Sequence, residues 1–303
     1  MESTRPKLPT EAIKLYNLFI HGEISRRAFM DGLQRFAVGG LTVAALIEAL
    51  MPDYAAGQQV PKNDDRIKAS YETVPSPNGT GSIRGYLVRP ISADTRAETP
   101  TKLPGIIVVH ENRGLNPHIE DIARRLALVN FMAFAPDGLT SLGGYPGDDF
   151  KGGQMFAKVD PKKMAEDFVA AAMWLKSRAD CTGKIGITGF CFGGSISNAM
   201  AVRLGADLAA AVPYYGGPPA KDDIQKIKGA VLVHHGELDT RLAATWPDYD
   251  TALKAANVPH EGYIYPNAVH GFNCDATPER YNKAAADLAW QRTVGWFNKY
   301  TRA

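Results

Sequence analysis

From about residue 66 onward, apolar side chains fall into short runs that recur at regular intervals. Positions 83–88 alternate and are rich in β-branched and aromatic residues, whereas 104–110 (PGIIVVH) is apolar throughout. Alternation marks a strand with one face in water, and a continuous run marks a strand covered on both faces. Similar runs lie at 131–135, 184–188, 209–213, 230–235 and 261–265. Between them, near 118–129, 161–178, 194–204, 246–256 and 284–300, the pattern is helical. Trp290, Val294 and Phe297 form the packed face of the last of these helices. Strand and helix in alternation predict an α/β fold, a mostly parallel central sheet flanked by helices. The glycine-rich segment 138–154 has neither period and is expected to be a long irregular loop with a function.

The first sixty residues read differently. Ile13, Leu15, Leu18 and Phe19, then Phe29, Leu33 and Phe36, recur at helical spacing. Ser25 is placed to cap a helix, and Gly39-Gly40 to join one helix to the next. The same stretch holds Ser25-Arg26-Arg27-Ala28-Phe29-Met30, an apolar run at 36–47 and the small residues Ala55-Ala56-Gly57, a layout that resembles a twin-arginine export signal. The run is well short of the roughly 20 residues that span a bilayer, so no stable membrane anchor is expected. Two readings stand side by side: an export signal, hence a periplasmic protein, or structural helices on a cytoplasmic one. Either way residues 1–65 are set apart from an expected catalytic domain at 66–303.

Composition narrows the class. With 303 residues, 45% of them hydrophobic and 22% charged, the chain is neither disordered nor collagen-like. Lys and Arg number 34 against 32 Asp and Glu, and no long run has a single sign, so no nucleic-acid partner is expected. Cys181, Cys191 and Cys274 are an odd number with no CxxC spacing, which argues against a disulfide framework and a thiolate metal site.

Candidate chemistry centres on Gly189-Phe190-Cys191-Phe192-Gly193-Gly194, between the apolar run 184–188 and the following helical pattern. Glycines on both sides permit a strand-to-helix turn tight enough to leave the thiol exposed at a helix N-terminus, where the dipole favours thiolate. A lone Gly-x-Cys-x-Gly also fits a small buried thiol whose glycines let a helix pack on a strand. Chain order decides between them. Asp239 follows the strand at 230–235 and His270 the strand at 261–265, giving the nucleophile, acid, histidine order of α/β-hydrolases. Both lie after strand C-termini, where parallel sheets carry their sites. In chemical terms Cys191 attacks an ester or lactone carbonyl, His270 moves the proton, Asp239 fixes the imidazole tautomer, and water resolves a thioester without any cofactor. His110-Glu111 begins like a zinc H-E-x-x-H, but the fifth residue is Gly114, so no metal is expected. His234 and His235 read as structural, and His118 as solvent-facing.

These residues resemble the dienelactone hydrolase family, α/β-hydrolases with a cysteine nucleophile. The resemblance spans roughly 70–300 and rests on His110-Glu111-Asn112-Arg113-Gly114-Leu115, on the Cys191 elbow, on Glu237-Leu238-Asp239 and on His270-Gly271-Phe272. It implies that Glu111 contacts the nucleophile and helps ionise it, and that the backbone N–H groups of Phe192 and Asn112 form the oxyanion hole. The family also binds a substrate carboxylate with arginines, one of them four residues past the histidine; here that position is Cys274, which is expected to line the site. Arg113 and Arg241 stand as substitutes. The expected partner is a small-molecule ester or lactone, with homo-oligomerisation left open. A peroxide-reactive thiol protein and a non-catalytic binding protein on the same scaffold are the competing readings.

Overall fold

A computed structural model describes residues 8–20, 22–38, 41–91 and 102–302. Its strands are β1 (Ile67–Ser76), β2 (Gly81–Pro90), β3 (Leu103–Val109), β4 (Met132–Pro136), β5 (Cys181–Phe190), β6 (Ala210–Tyr214), β7 (Ala230–Gly236) and β8 (His260–Tyr265). Among the described residues these form one eight-stranded sheet in the order β1-β2-β4-β3-β5-β6-β7-β8. The pairs β1–β2 and β2–β4 are antiparallel and the remaining pairs parallel.

The continuous apolar run of β3 is explained by its two faces. Ile106 and Val108 point into a core shared with α4 (Pro117–Leu128) and α10 (Lys283–Thr301). Ile107 and Val109 point into a second core under α6 (Pro161–Ser177), α7 (Phe192–Leu204) and α9 (Trp246–Ala255). The short α5 (Asp149–Phe156) and α8 (Thr240–Ala243) lie in the connections at the strand C-termini. The arrangement is the α/β-hydrolase fold with an N-terminal helical extension.

That extension comprises α1 (Thr10–Ile20), α2 (Arg26–Gln34) and α3 (Val43–Leu50). Ser25 caps α2, its Oγ accepting the Ala28 N–H at 3.2 Å. Ala12, Tyr16, Phe29, Leu33 and Leu50 make a small core of their own, with Phe19 stacked on Phe29 at 4.7 Å. Arg26 and Arg27 stay exposed. The Gly39-Gly40 link lies outside the described residues. Among the described residues no helix is long and apolar enough to cross a membrane.

Two elements depart from the sequence pattern. β1 was not expected as a strand, because most of its side chains are exposed and only Ile67, Val74 and Ser76 are buried, so its sequence carries no alternation. The segment 138–154, expected to be irregular, begins a helix at Asp149 despite its glycines; the Asp148 carboxylate caps it by accepting the Lys151 N–H at 2.8 Å.

The segment joining extension to sheet is clamped by buried charge. Asp121 on α4 accepts the N–H groups of Gln59 (3.1 Å) and Val60 (2.9 Å), while Arg124 donates to the Val60 carbonyl at 2.7 Å and pairs with Asp121 at 3.2 Å. Arg124 is fully buried, and Asp121 is its nearer carboxylate, with Glu120 at 4.0 Å. Asp121→Ala should therefore cost about 3–5 kcal/mol in urea unfolding, the range for orphaning a buried charge. A midpoint and slope like those of the parent would show that the clamp is dispensable.

Candidate active site

The turn from β5 to α7 places Cys191 at φ 56°, ψ −112°, a positive-φ conformation that a side chain adopts only at a cost of about 1–3 kcal/mol. Neighbouring backbone enforces it. A Cβ added at Gly189 would stand 2.2 Å from the Gly193 carbonyl oxygen, at Gly193 2.3 Å from that of Val109, and at Gly194 2.4 Å from that of Tyr214. The elbow is thus wedged between the C-terminal ends of β3 and β6. The Cys191 N–H donates to the Tyr214 carbonyl at 3.1 Å, and the thiol sits at the N-terminus of α7. Phe192 is the first residue of that helix.

Asp239 follows β7 and His270 follows β8. Nδ1 of His270 lies 2.6 Å from Oδ2 of Asp239, and the imidazole interacts electrostatically with Cys191. Burial opposes charge on this imidazole, yet Cys191 and Asp239 together outweigh it and raise His270 to about 9. Burial likewise works against ionised Asp239, but the His270 hydrogen bond and charge hold its carboxyl below the ordinary value. Glu237, the other acid on that loop, is spent elsewhere: its Oε2 accepts the Asn267 N–H at 2.9 Å. The loop carrying His270 is anchored from behind. Asp275 lies 3.2 Å from His118 and 2.5 Å from Arg125, both on α4, so His118 is buried and not solvent-facing as its position suggested.

The loop after β3 carries Glu111 and Asn112. His110 fixes it, Nε2 accepting the Gly138 N–H at 2.9 Å and Nδ1 donating to the Glu111 carbonyl at 2.5 Å. Both ring nitrogens are used within the fold. The Glu111 carboxylate faces Tyr215, Cys274, Arg113 and Arg280, whose ionisation it biases. Tyr215 closes the circuit: its phenol also feels Cys191, and its ring packs on His270 at 4.9 Å.

The structure places the three candidate substrate-binding residues differently from one another. Arg113 is buried with Nη1 2.9 Å from Asp149 and 3.2 Å from the Tyr16 hydroxyl, so it is already paired. Arg241 is exposed. Cys274 is buried, and burial first, then the Glu111 charge, push its thiol up to about 12. Arg280, a buried residue, stands close by: its Nη1 would be 3.2 Å from a Cβ on Gly271, next to His270. Neither Arg280 nor Tyr215 has a local motif, and sequence reasoning missed both.

Beside this cluster opens a cavity of about 440 Å³. Tyr16, Phe19 and Ile20 of α1 form one wall, Phe150, Gly153 and Phe156 of α5 another, and Asn112 and Arg113 line it from the β3 loop. The Asn112 amide donates to the Ile20 carbonyl at 2.5 Å, so the extension braces the loop it faces. Phe156 meets Phe192 edge-on at 4.7 Å.

Comparison with known proteins gives a consistent assignment. The dienelactone hydrolase family model matches residues 83–301. A "Putative hydrolase fragment" of Escherichia coli strain K12 is 53% identical over 121 residues, 40% of this chain and 98% of that one. A "Putative carboxymethylenebutenolidase" of the same strain is 33% identical over 253 residues, covering 78% of this chain and 89% of that protein. A crystal structure titled as a putative dienelactone hydrolase from Klebsiella pneumoniae superposes with a TM-score of 0.67 at 31% identity, covering 77% of this chain and 99% of that one. The chain belongs to the dienelactone hydrolase family, and is thereby a hydrolase built on the α/β-hydrolase fold.

Proposed function

We propose that this chain hydrolyses carboxylic esters or lactones through a thioester on Cys191. The observation that carries the reading is the connected set Cys191, His270, Asp239, with the 2.6 Å His270–Asp239 hydrogen bond behind a thiol held at positive φ over a helix N-terminus. The family's name and those of its relatives support the same bond class.

In the proposed reaction the Cys191 thiol proton resides on His270, and the thiolate attacks the carbonyl carbon. The carbonyl oxygen takes the electron pair and is held by the backbone N–H groups of Phe192 and Asn112, worth about 3–4 kcal/mol per donor in other enzymes. Collapse breaks the C–O bond, and the departing alkoxide takes the proton from His270. Water then adds to the thioester, passing its proton to His270. A second collapse releases the acid and regenerates the thiolate. Asp239 keeps Nδ1 oriented and offsets the imidazolium charge. The peroxide-reactive alternative finds less support: Cys274 is buried with its thiol pushed up to about 12, and Cys181 begins β5, roughly 30 Å from its far end at strand rise.

Three outcomes follow. Rapid quench of p-nitrophenyl acetate turnover should leave an acetyl group on Cys191 in peptide mass spectra, and full turnover with Cys191 alkylated by iodoacetamide would exclude the thioester route. His270 should titrate near about 9 by NMR of its ring proton, falling toward 6.5 in Cys191→Ala as the leading source of the rise is removed. Because its folded value is raised, His270 stabilises the protein fully below pH 6.5, and this contribution is lost as pH climbs through about 9. Glu111→Gln keeps the shape of the side chain and removes its charge. If Glu111 assists ionisation of the thiol, single-turnover acylation should slow by about 10²-fold, the usual worth of a positioned base. Parent-like acylation from pH 6 to 9 would leave thiol activation to His270 and the helix terminus.

A further inference from the structure

The cavity beside the candidate site is built partly by the N-terminal extension, which lies outside the family match beginning at residue 83. Its position relative to the reacting groups is informative. Asn112, one of the two oxyanion residues in the proposed reaction, lines it directly, and the other, Phe192, packs edge-on against the lining residue Phe156 at 4.7 Å. No lining residue comes from the loops of Asp239 or His270.

The cavity's polar end is already satisfied. Asp149 receives Arg113 at 2.9 Å and the hydroxyls of Tyr54 and Tyr145, each at 2.8 Å. The rest of the lining is mainly Phe19, Ile20, Phe150, Phe156 and Ala157. A volume of about 440 Å³ falls within the roughly 300–1,000 Å³ of small-molecule pockets. An apolar group is therefore the natural occupant, since a charged one would need a partner that the lining has already committed.

Which end of the substrate enters follows from proton transfer. The leaving oxygen must receive its proton from His270, so the alcohol departs on the His270 side. The acyl group stays on Cys191 and extends away, past the oxyanion residues. We infer that α1 and α5 form an acyl pocket, and that Phe19 and Ile20 of the extension set the length of apolar acyl chain the enzyme prefers. This assignment rests on the proposed esterase reading. It also gives the extension a role in selecting substrate as well as in bracing Asn112 through the Ile20 carbonyl.

Gly153 offers the cleanest test, because a Cβ there has nothing within 4 Å and the residue lines the pocket. Full-length Gly153→Phe places its Cβ in open space and adds a ring to the pocket lining, and replacing a helical glycine favours the helix. The measurement is the ratio of kcat/KM for p-nitrophenyl octanoate to that for p-nitrophenyl acetate. The ratio should fall by about 10-fold or more, the discrimination available from a few methylenes in an apolar pocket. Ala157→Leu, at the C-cap of the same helix, should lower it in the same sense if Gly153→Phe does not accumulate. In parallel, octyl acetate against ethyl acetate varies the alcohol alone, and that ratio should not follow. An unchanged octanoate-to-acetate ratio in a folded variant overturns the acyl pocket, as does a fall confined to the alcohol series. Cys191→Ala separates the two layers: turnover that survives it defeats the esterase reading, whereas loss of turnover with an unmoved ratio in Gly153→Phe defeats the pocket alone.

Discussion

The turn at Cys191 is a constraint on backbone before it is a feature of chemistry. Three glycines approach carbonyl oxygens so closely that any Cβ would stand 2.2–2.4 Å from them, and through these contacts the elbow is locked against β3 and β6. That lock fixes several distances together. It orients the thiol over the start of α7, and brings Phe192 toward the loop of Glu111 and Asn112. It also sets Cys191 beside Tyr214 and Tyr215 at the end of β6. The positive φ at Cys191 costs about 1–3 kcal/mol, which the two apolar cores on either face of the sheet can sustain because they hold both strands in place.

Around that turn the loops are held by polar groups used for position. His110, whose imidazole is pushed down by burial, ties the Glu111 carbonyl to Gly138. Asp275, pulled between His118 and Arg125, holds the chain just past His270 against α4. Asp121 and Arg124 hold residues 59 and 60 against the same helix. One helix thus anchors both the histidine loop and the end of the extension's linker. A shift of α4 would be felt at the imidazole and at the linker together, without touching Cys191.

The extension lies ahead of the family match, which begins at residue 83. Its own core is small, with five buried residues among the described ones, and it reaches the catalytic domain through specific polar contacts: Tyr16 to Arg113 and the Ile20 carbonyl to Asn112. Phe150 of α5 packs on Phe19 at 5.4 Å, joining the two walls of the cavity. Folding of these helices and shaping of the site are therefore linked.

Much of this was legible in the sequence, and the division has a physical basis. Strands buried on both faces announce themselves as continuous apolar runs, and Gly-x-Cys-x-Gly with a later Asp and His states a chain order that an α/β sheet turns into proximity; both signals are local or ordinal. The helical spacing of 10–36 and the Ser25 cap were equally visible. What only the tertiary structure decided depends on which distant groups meet. Edge strand β1 has no alternation because water covers most of it. Of two acids on one loop, Asp239 reaches His270 while Glu237 braces Asn267. Arg113, a candidate for a substrate carboxylate, is paired with Asp149, from a segment read as loop. Arg280 and Tyr215 join the cluster, and α1 closes the cavity, across separations that no periodicity encodes.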